Sequence, residues 1–317
     1  PLSFLPVFLP RVAQRSKRGY NLQDFLTPEC IPMTIKIVTD TGSDIPPDLV
    51  DDYDIHQVPL ILRFGDREVL DSEESRAELW QRIEAGLPCD TSGPAAGAYE
   101  EAFRPLVAAG HQVLCVTLTG AHSVTYNSAW LAAQSFPGQV EVVDGRSVSL
   151  GYGLQAIRAA QMAADGSDLA TIAAALREMQ SRITIRFFLE SLDQVKRGGR
   201  LDALLPVMSR LGQTLNIRAI LLINEEGRIT MDGPARGRKG ATKRLTHDLL
   251  ETAPVETVIV GHGRSPDEAA ALADQLAAGL NVPRDEVIVF EVGTVLLAHA
   301  GKGVLAAGTV RKKSADR

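Results

Sequence analysis

From residue 33 onward, short apolar runs alternate with longer Ala- and Leu-rich segments of helical period. That alternation predicts an α/β protein. The first strand is expected over 34–39, followed by a helix over 47–52 and a hairpin whose arms, 58–64 and 67–70, flank a Gly65-Asp66 turn. Helices are expected over 75–85 and 95–109, then strands over 113–118 and 140–143 with a helix over 125–135 between them. Two Ala-rich helices, 154–164 and 169–180, close the first half. After Ser181 the character changes. Strands are expected over 184–188 and 217–223, then a turn over 224–228 and another short strand. A strand–helix–strand unit follows, with strands at 258–260 and 287–290 and a helix over 266–280. A boundary near 182 divides the fold into an N-terminal domain, 33–182, and a smaller C-terminal domain, 183–317. Residues 1–32, apolar and Pro-interrupted before a basic run from Arg11 to Arg18, have the reverse polarity of a secretory signal. They are expected to form an extension outside the fold.

Composition narrows the function classes. The 317 residues carry a formal net charge of −6, and aromatics make up 5%. That balance disfavours a general nucleic-acid binder, which relies on basic surface and stacking platforms. Cys30, Cys89 and Cys115 are widely spaced without a CxxC pair, so neither a zinc site nor a disulfide framework is expected, and the reading is cytoplasmic. No apolar run approaches the roughly 20 residues of a membrane span.

The chemistry-bearing residues sit in turns. Thr91 lies in Asp90-Thr91-Ser92-Gly93-Pro94, which reads as a helix opener, and Ser123 lies in Thr119-Gly120-Ala121-His122-Ser123-Val124-Thr125, a strand-to-helix turn. Two helix openers with spare hydroxyls can receive one small anion, and neither brings an obvious general base. Asp40-Thr41-Gly42-Ser43-Asp44 follows the first strand, where open α/β sheets put ligand-facing loops, though turn and cap chemistry explains it equally well. Gly151-Tyr152-Gly153-Leu154-Gln155-Ala156 fits a loose dinucleotide fingerprint in the wrong context, so close helix packing is the preferred account. A Walker loop and a G-x-S-x-G elbow are both absent. Basic clusters at 196–200 and 236–244 read as solvated turns or as sites for phosphate or an acidic partner, with a partner surface slightly favoured. His262 and His299 each follow an apolar run but lack companions at ligand spacing, so no metal is expected.

Taken together these segments resemble the DegV family of bacterial fatty-acid-binding proteins, over about residues 36–310. The resemblance rests on Val38-Thr39-Asp40-Thr41-Gly42-Ser43-Asp44, Val58-Pro59-Leu60, Thr91-Ser92-Gly93-Pro94, Ser123-Val124-Thr125-Tyr126 and Val143-Asp144-Gly145-Arg146-Ser147. Arg197-Gly198-Gly199-Arg200, Arg236-Gly237-Arg238-Lys239 and the His-Ala-Gly-Lys-Gly segment ending at Gly303 complete it. It implies an α/β fold with an N-terminal three-layer parallel-sheet domain, a smaller mixed C-terminal domain and a ligand tunnel between them. It implies a carrier of a long-chain fatty acid such as palmitate or oleate, without catalytic residues or cofactor. The carrier would present the carboxylate to an ATP-dependent fatty acid kinase subunit for acyl-phosphate formation, within phospholipid metabolism. The carboxylate-binding roles fall on Thr91 and Ser123, with Ser92 beside them and His262 in support. Gly120, Arg200, Arg236 and Arg238 are expected pocket or partner contacts. Thr119-Gly120-Ala121-His122 departs from the family's usual Ser-Ser-Gly-Leu, Gly93 stands where Gln is common, and Gly145 stands where Ser is common. The competing class is a phosphotransferase or hydrolase using Asp40, Ser43 or His262.

Overall fold

A computed structural model describes residues 34–190 and 216–313. Its strands in chain order begin with β1 Ile35–Asp40, β2 Ile55–Val58, β3 Ile61–Phe64, β4 Arg67–Leu70, β5 Asp90–Ser92, β6 Gln112–Thr117 and β7 Val140–Asp144. They continue with β8 Ile183–Phe188, β9 Ile217–Ile223, β10 Ile229–Arg236, β11 Val255–His262, β12 Ile288–Glu291 and β13 Leu305–Arg311. The α-helices are α1 Pro47–Asp52, α2 Glu73–Glu84, α3 Ala96–Ala108, α4 Thr125–Ala133, α5 Leu150–Ala164, α6 Leu169–Gln180, α7 Gly237–Leu250, α8 Pro266–Leu280 and α9 Thr294–Ala300.

A parallel sheet, β2-β1-β6-β7, forms the middle of three layers. Because successive strand residues face opposite sides, Ile37, Leu114 and Val116 join Ile157, Ile172 and Leu176 of α5 and α6. Val38, Val113 and Cys115 join Tyr99, Phe103 and Ala129 of α3 and α4 on the other side. Burial on both faces is why these strands read as continuous apolar runs.

The hairpin is real but shorter than expected. Val58 ends β2 in the parallel sheet, and the chain crosses Pro59-Leu60 before β3 begins in a separate antiparallel sheet, β4-β3-β5. Proline lacks the N–H a continuous ladder needs, so the run breaks there. Residues 90–92 also differ from expectation. They form β5, with Thr91 paired opposite Leu62, and α3 starts only after an Ala95 cap. Thr91 is therefore a strand residue; pairing along β3 outweighs the local capping chemistry of Thr-Ser-Gly-Pro.

The third sheet, β10-β9-β8-β13-β11-β12, is mixed. Its one face packs on α7 and α8 through Phe188, Ile220, Leu245 and Leu272. Ile185, Phe187, Leu221 and Ile259 on the opposite face join the same apolar cluster as α5 and α6. All described strands of the first two sheets precede residue 182, and all those of the third follow it. The basic segment expected as a turn at 236–240 is instead the last residue of β10 and the first turn of α7.

Helix α5 begins four residues earlier than its apolar period announces, so both glycines of Gly-Tyr-Gly lie inside it. A Cβ on Gly153 would sit 2.5 Å from the Ser43 carbonyl oxygen, so the helix crosses the β1 turn at backbone contact. Alanine is better than glycine in a helix interior by about 1 kcal/mol, yet here it must push two backbones apart. Gly153→Ala is expected to lower unfolding free energy by about 1–3 kcal/mol in urea titration; a stabilised variant would mean the contact is not tight.

Candidate functional site

The order β2-β1-β6 places the connection leaving β1 on one side and β6 on the other, so the crevice beyond their C-terminal ends is a topological switch point. Such crevices are where open α/β sheets bind ligands. Asp40, the last residue of β1, fastens the two loops there. Its carboxylate accepts from Gly42 N at 3.1 Å, from Leu118 N just after β6 at 3.0 Å and from the Tyr152 hydroxyl of α5 at 2.5 Å. Burial pushes its pKa up to about 6, against the three hydrogen bonds that favour the ionised form.

A cavity of about 1070 Å³, its open mouth included, begins at these loops. Its apolar wall draws on Leu60 and Leu118, on Val148, on Ile185 and Phe187 of β8, on Val295 and Leu296 of α9, and on Ala306 of β13. Residues from both sides of position 182 thus share one wall. The polar lining residues are Thr91, Ser92, His122, Ser123, Ser149 and His299. Among the described lining residues none is Asp, Glu, Lys or Arg.

Thr91 and Ser123, 32 positions apart in sequence, line this same cavity. Gly93 shows how closely their segments approach: a Cβ there would lie 3.0 Å from both Thr125 Oγ1 and Val124 Cγ2. A glutamine at 93 would meet the first turn of α4. Thr91 is 8% exposed, and its Oγ1 lies 2.6 Å from His299 Nε2 on α9. Ser123 Oγ accepts from Thr125 N at 3.2 Å and shares a short hydrogen bond with Thr125 Oγ1, closing the start of α4. His122 Nε2 accepts from Ile229 N at 2.8 Å, tying this loop to β10. An acceptor Nε2 leaves a neutral ring's proton on Nδ1. Ser149 donates to Asp44, whose carboxyl also takes the backbone N–H of Gly293 ahead of α9. Burial raises that carboxyl to about 7, the hydrogen bonds opposing it.

The other expected residues lie elsewhere. His262 ends β11 opposite Glu291 and lines a second, more open pocket with Arg76, Trp80 and Arg264. Burial lowers its pKa, with Glu291 acting the other way. Asp40 and Ser43 are fully buried and line neither of these two pockets, so no nucleophile–base arrangement with His262 is visible. Gly120 is exposed and donates its N–H to the Asp144 carboxylate at 3.2 Å. Arg236 is exposed at the end of β10. Arg238 clips α7 to α8 through Glu268, also holds Glu190 and the Gly303 carbonyl, and stacks on Phe188. Arg200 lies outside the described residues, as do 1–32 and the 196–200 cluster. No group of three or more metal-ligating side chains occurs among the described residues.

His299 is the residue that sequence reasoning named but gave no part in the site. Both histidines end apolar runs beside small residues, and only the fold brings one of them to Thr91, 208 positions away. The His-Ala-Gly-Lys-Gly segment carried the signal as part of the family pattern, not as a ligand-spacing motif.

Residues 34–312 match the DegV family, described as uncharacterised proteins, and the chain belongs to that family. A DegV domain-containing protein of Deinococcus radiodurans is 32% identical over 285 residues, spanning 86% of this chain and 97% of its own. Among solved structures, a fatty-acid-binding DegV protein from Thermus thermophilus aligns with a TM-score of 0.80 at 32% identity, covering 88% of this chain and 99% of that one. A Thermotoga maritima protein, described as having a fatty acid binding function, aligns at 0.76 and 27% identity with the same coverages.

Asp40 and Asp44 hold protons more tightly in the folded chain than at their ordinary value of 3.8. Their contribution is therefore full below about pH 4 and is lost as pH rises through about 6 for Asp40 and about 7 for Asp44. Each lowers stability by up to about 1.4 kcal/mol per pH unit within its window. Urea titration across that range is expected to show the decline, with Asp44→Asn flattening its upper part; an unchanged slope in the variant would assign the effect elsewhere.

Proposed function

We propose that this chain is a carrier for one long-chain fatty acid of the palmitate or oleate class, without catalytic residues of its own. Its two domains divide near Arg182, and the acyl tail fills the apolar cavity walled from both. The observation that carries this reading is the gathering of Thr91, Ser92, Ser123 and His299, with His122 and Ser149, in a cavity whose described lining residues include no charged side chain and are otherwise apolar or glycine. The fatty-acid-binding relatives at 27% and 32% identity support it.

The energetics fit. Each buried CH₂ contributes about 0.8 kcal/mol, so ten of them give about 8 kcal/mol from apolar contact alone. Desolvating the carboxylate costs several kcal/mol unless hydrogen bonds replace its water. Thr91 and Ser123 supply hydroxyls, with Ser92 beside them. His299 takes the supporting part expected of His262: with Nε2 protonated it donates to Thr91 Oγ1, and the threonine turns its own proton to the carboxylate. Neutral donors hold the head group without neutralising it, so it stays nucleophilic. In this reading the cytoplasmic carrier offers its carboxylate to a separate ATP-dependent kinase subunit for acyl-phosphate formation. Exposed Gly120 and Arg236 are the partner-facing members of the expected set, and the product enters phospholipid metabolism.

Mass spectrometry of a denatured extract of the purified protein is expected to reveal a co-purifying fatty acid. Thr91→Val and Ser123→Ala should each weaken uptake of palmitate or oleate about 10-fold or more, the range of a hydrogen bond to a charged group. A delipidated chain that takes up neither acid would sink the carrier reading. Unchanged affinity in both variants would put the carboxylate elsewhere.

A further inference from the structure

A second chamber lies behind the acyl cavity, and nothing in the carrier role uses it. The ladder between β8 and β9 stops at Arg186–Leu222. Beyond that pair the strands part: Ile183–Ile185 stay with β13, while Ile223 stays with β10. The fork opens into a space of about 880 Å³, mouth included, closed on its other side by the Gly145–Ser147 loop and by Gln155 and Gln180 of α5 and α6. Ile185 lines both chambers, and Ser147 in one is followed by Val148 and Ser149 in the other.

The lining is rich in donors. Ser147 is 3% exposed, and its Oγ is buried against α5, where a Cβ on Gly151 would come within 2.3 Å of it. Arg146 lines the same chamber, and its guanidinium has no ion-pair partner among the described residues. The residue is held at φ 45° by its own N–H donating to Asp144 at 2.9 Å and by the Asn224–Arg228 turn: a Cβ on Gly227 would come within 2.9 Å of Arg146 Cα. A non-glycine residue in that region is a strained conformation. Arg311 adds a second cation, part of which is spent on the Ser181 carbonyl. Asn224 accepts the Arg228 N–H with Oδ1, which leaves its NH₂ end as a donor. Arg186 is already paired with Asp232 and Asp248 and adds no free charge. Glu225, exposed on the turn, is the one carboxylate among the described lining residues.

Two arginines and an amide against a single exposed carboxylate make a receptor for an oxyanion. We infer that this fork is a binding site for a phosphate group, free or carried by a small phosphomonoester, with Arg146 and Arg311 as its principal contacts. The site stands apart from the acyl cavity, so delipidated and lipid-loaded protein are both to be titrated.

The test is thermal unfolding and calorimetry with inorganic phosphate against chloride at matched ionic strength, with glycerol 3-phosphate as a second arm. About 10 mM phosphate is expected to raise Tm by roughly 2 °C or more over the chloride control. Tighter binding of the ester than of phosphate would identify an ester site, and the reverse a free-phosphate site; either supports the assignment. Arg311→Gln should weaken binding about 10-fold. Arg146→Gly should do the same while the chain stays folded, because glycine relieves the positive φ. Equal effects of phosphate and chloride on the unaltered protein would overturn the proposal, as would an Arg146→Gly variant that binds phosphate as well as its parent.

Discussion

One buried carboxylate holds the arrangement around the cavity. Asp40 ends β1 with no solvent contact and accepts hydrogen bonds from three separate segments: its own turn, the start of the loop after β6, and α5. An aspartate alone in such a place would be strongly disfavoured; with three donors it becomes a fixed corner. The loop it fixes at Leu118 runs on to His122 and Ser123, which line the cavity. Asp44, four residues on, does the corresponding work for the other wall by gripping Ser149 and the backbone ahead of α9. The acidic residues of the β1 loop therefore act through position. They shape the site without lining it, which is why a nucleophile-and-base reading of Asp40 finds no chemistry in the fold.

Much of the architecture was legible from period and punctuation. Helix α1, helix α8 and strand β9 fall on their expected bounds: a proline opens each helix, and Asn216 and Asn224 bracket the strand. Errors cluster where local chemistry and tertiary pairing disagree. Thr-Ser-Gly-Pro is good capping sequence, yet β3 offers Thr91 a ladder that no local rule detects. The start of α5 was hidden for the opposite reason: two glycines in its first turn weaken the helical signal, whereas Gly153 meets the β1 turn at Ser43 and Gly151 packs on Ser147 and Ile185.

The polar end of the cavity was only half legible. Hydroxyls in turns can be listed from a sequence, but their convergence depends on two sheets and a helix brought together over 208 positions. His262 and His299 present the same local appearance. Their difference is topological: β11 carries the first toward Glu291 and Arg76, while α9 carries the second back beneath β5.

Strand β8 shows how one short element can serve opposite environments. Its alternate residues Ile185 and Phe187 face the apolar cavity, while Arg186 between them reaches Asp232 and Asp248 toward α7. A slip of one residue would bring a guanidinium into the apolar cavity and leave Asp232 and Asp248 to Arg244 alone, so the register is specified by charge as well as by burial. The same constraint forces the strand to leave β9 early. Continuing the ladder past Leu222 would draw the Asn224–Arg228 turn away from the Arg146 loop, on which Gly227 packs at backbone distance. The fork is thus the consequence of holding β8 in register with β13 while β10 turns back to meet His122. The register that lines the apolar cavity also opens the polar chamber behind it.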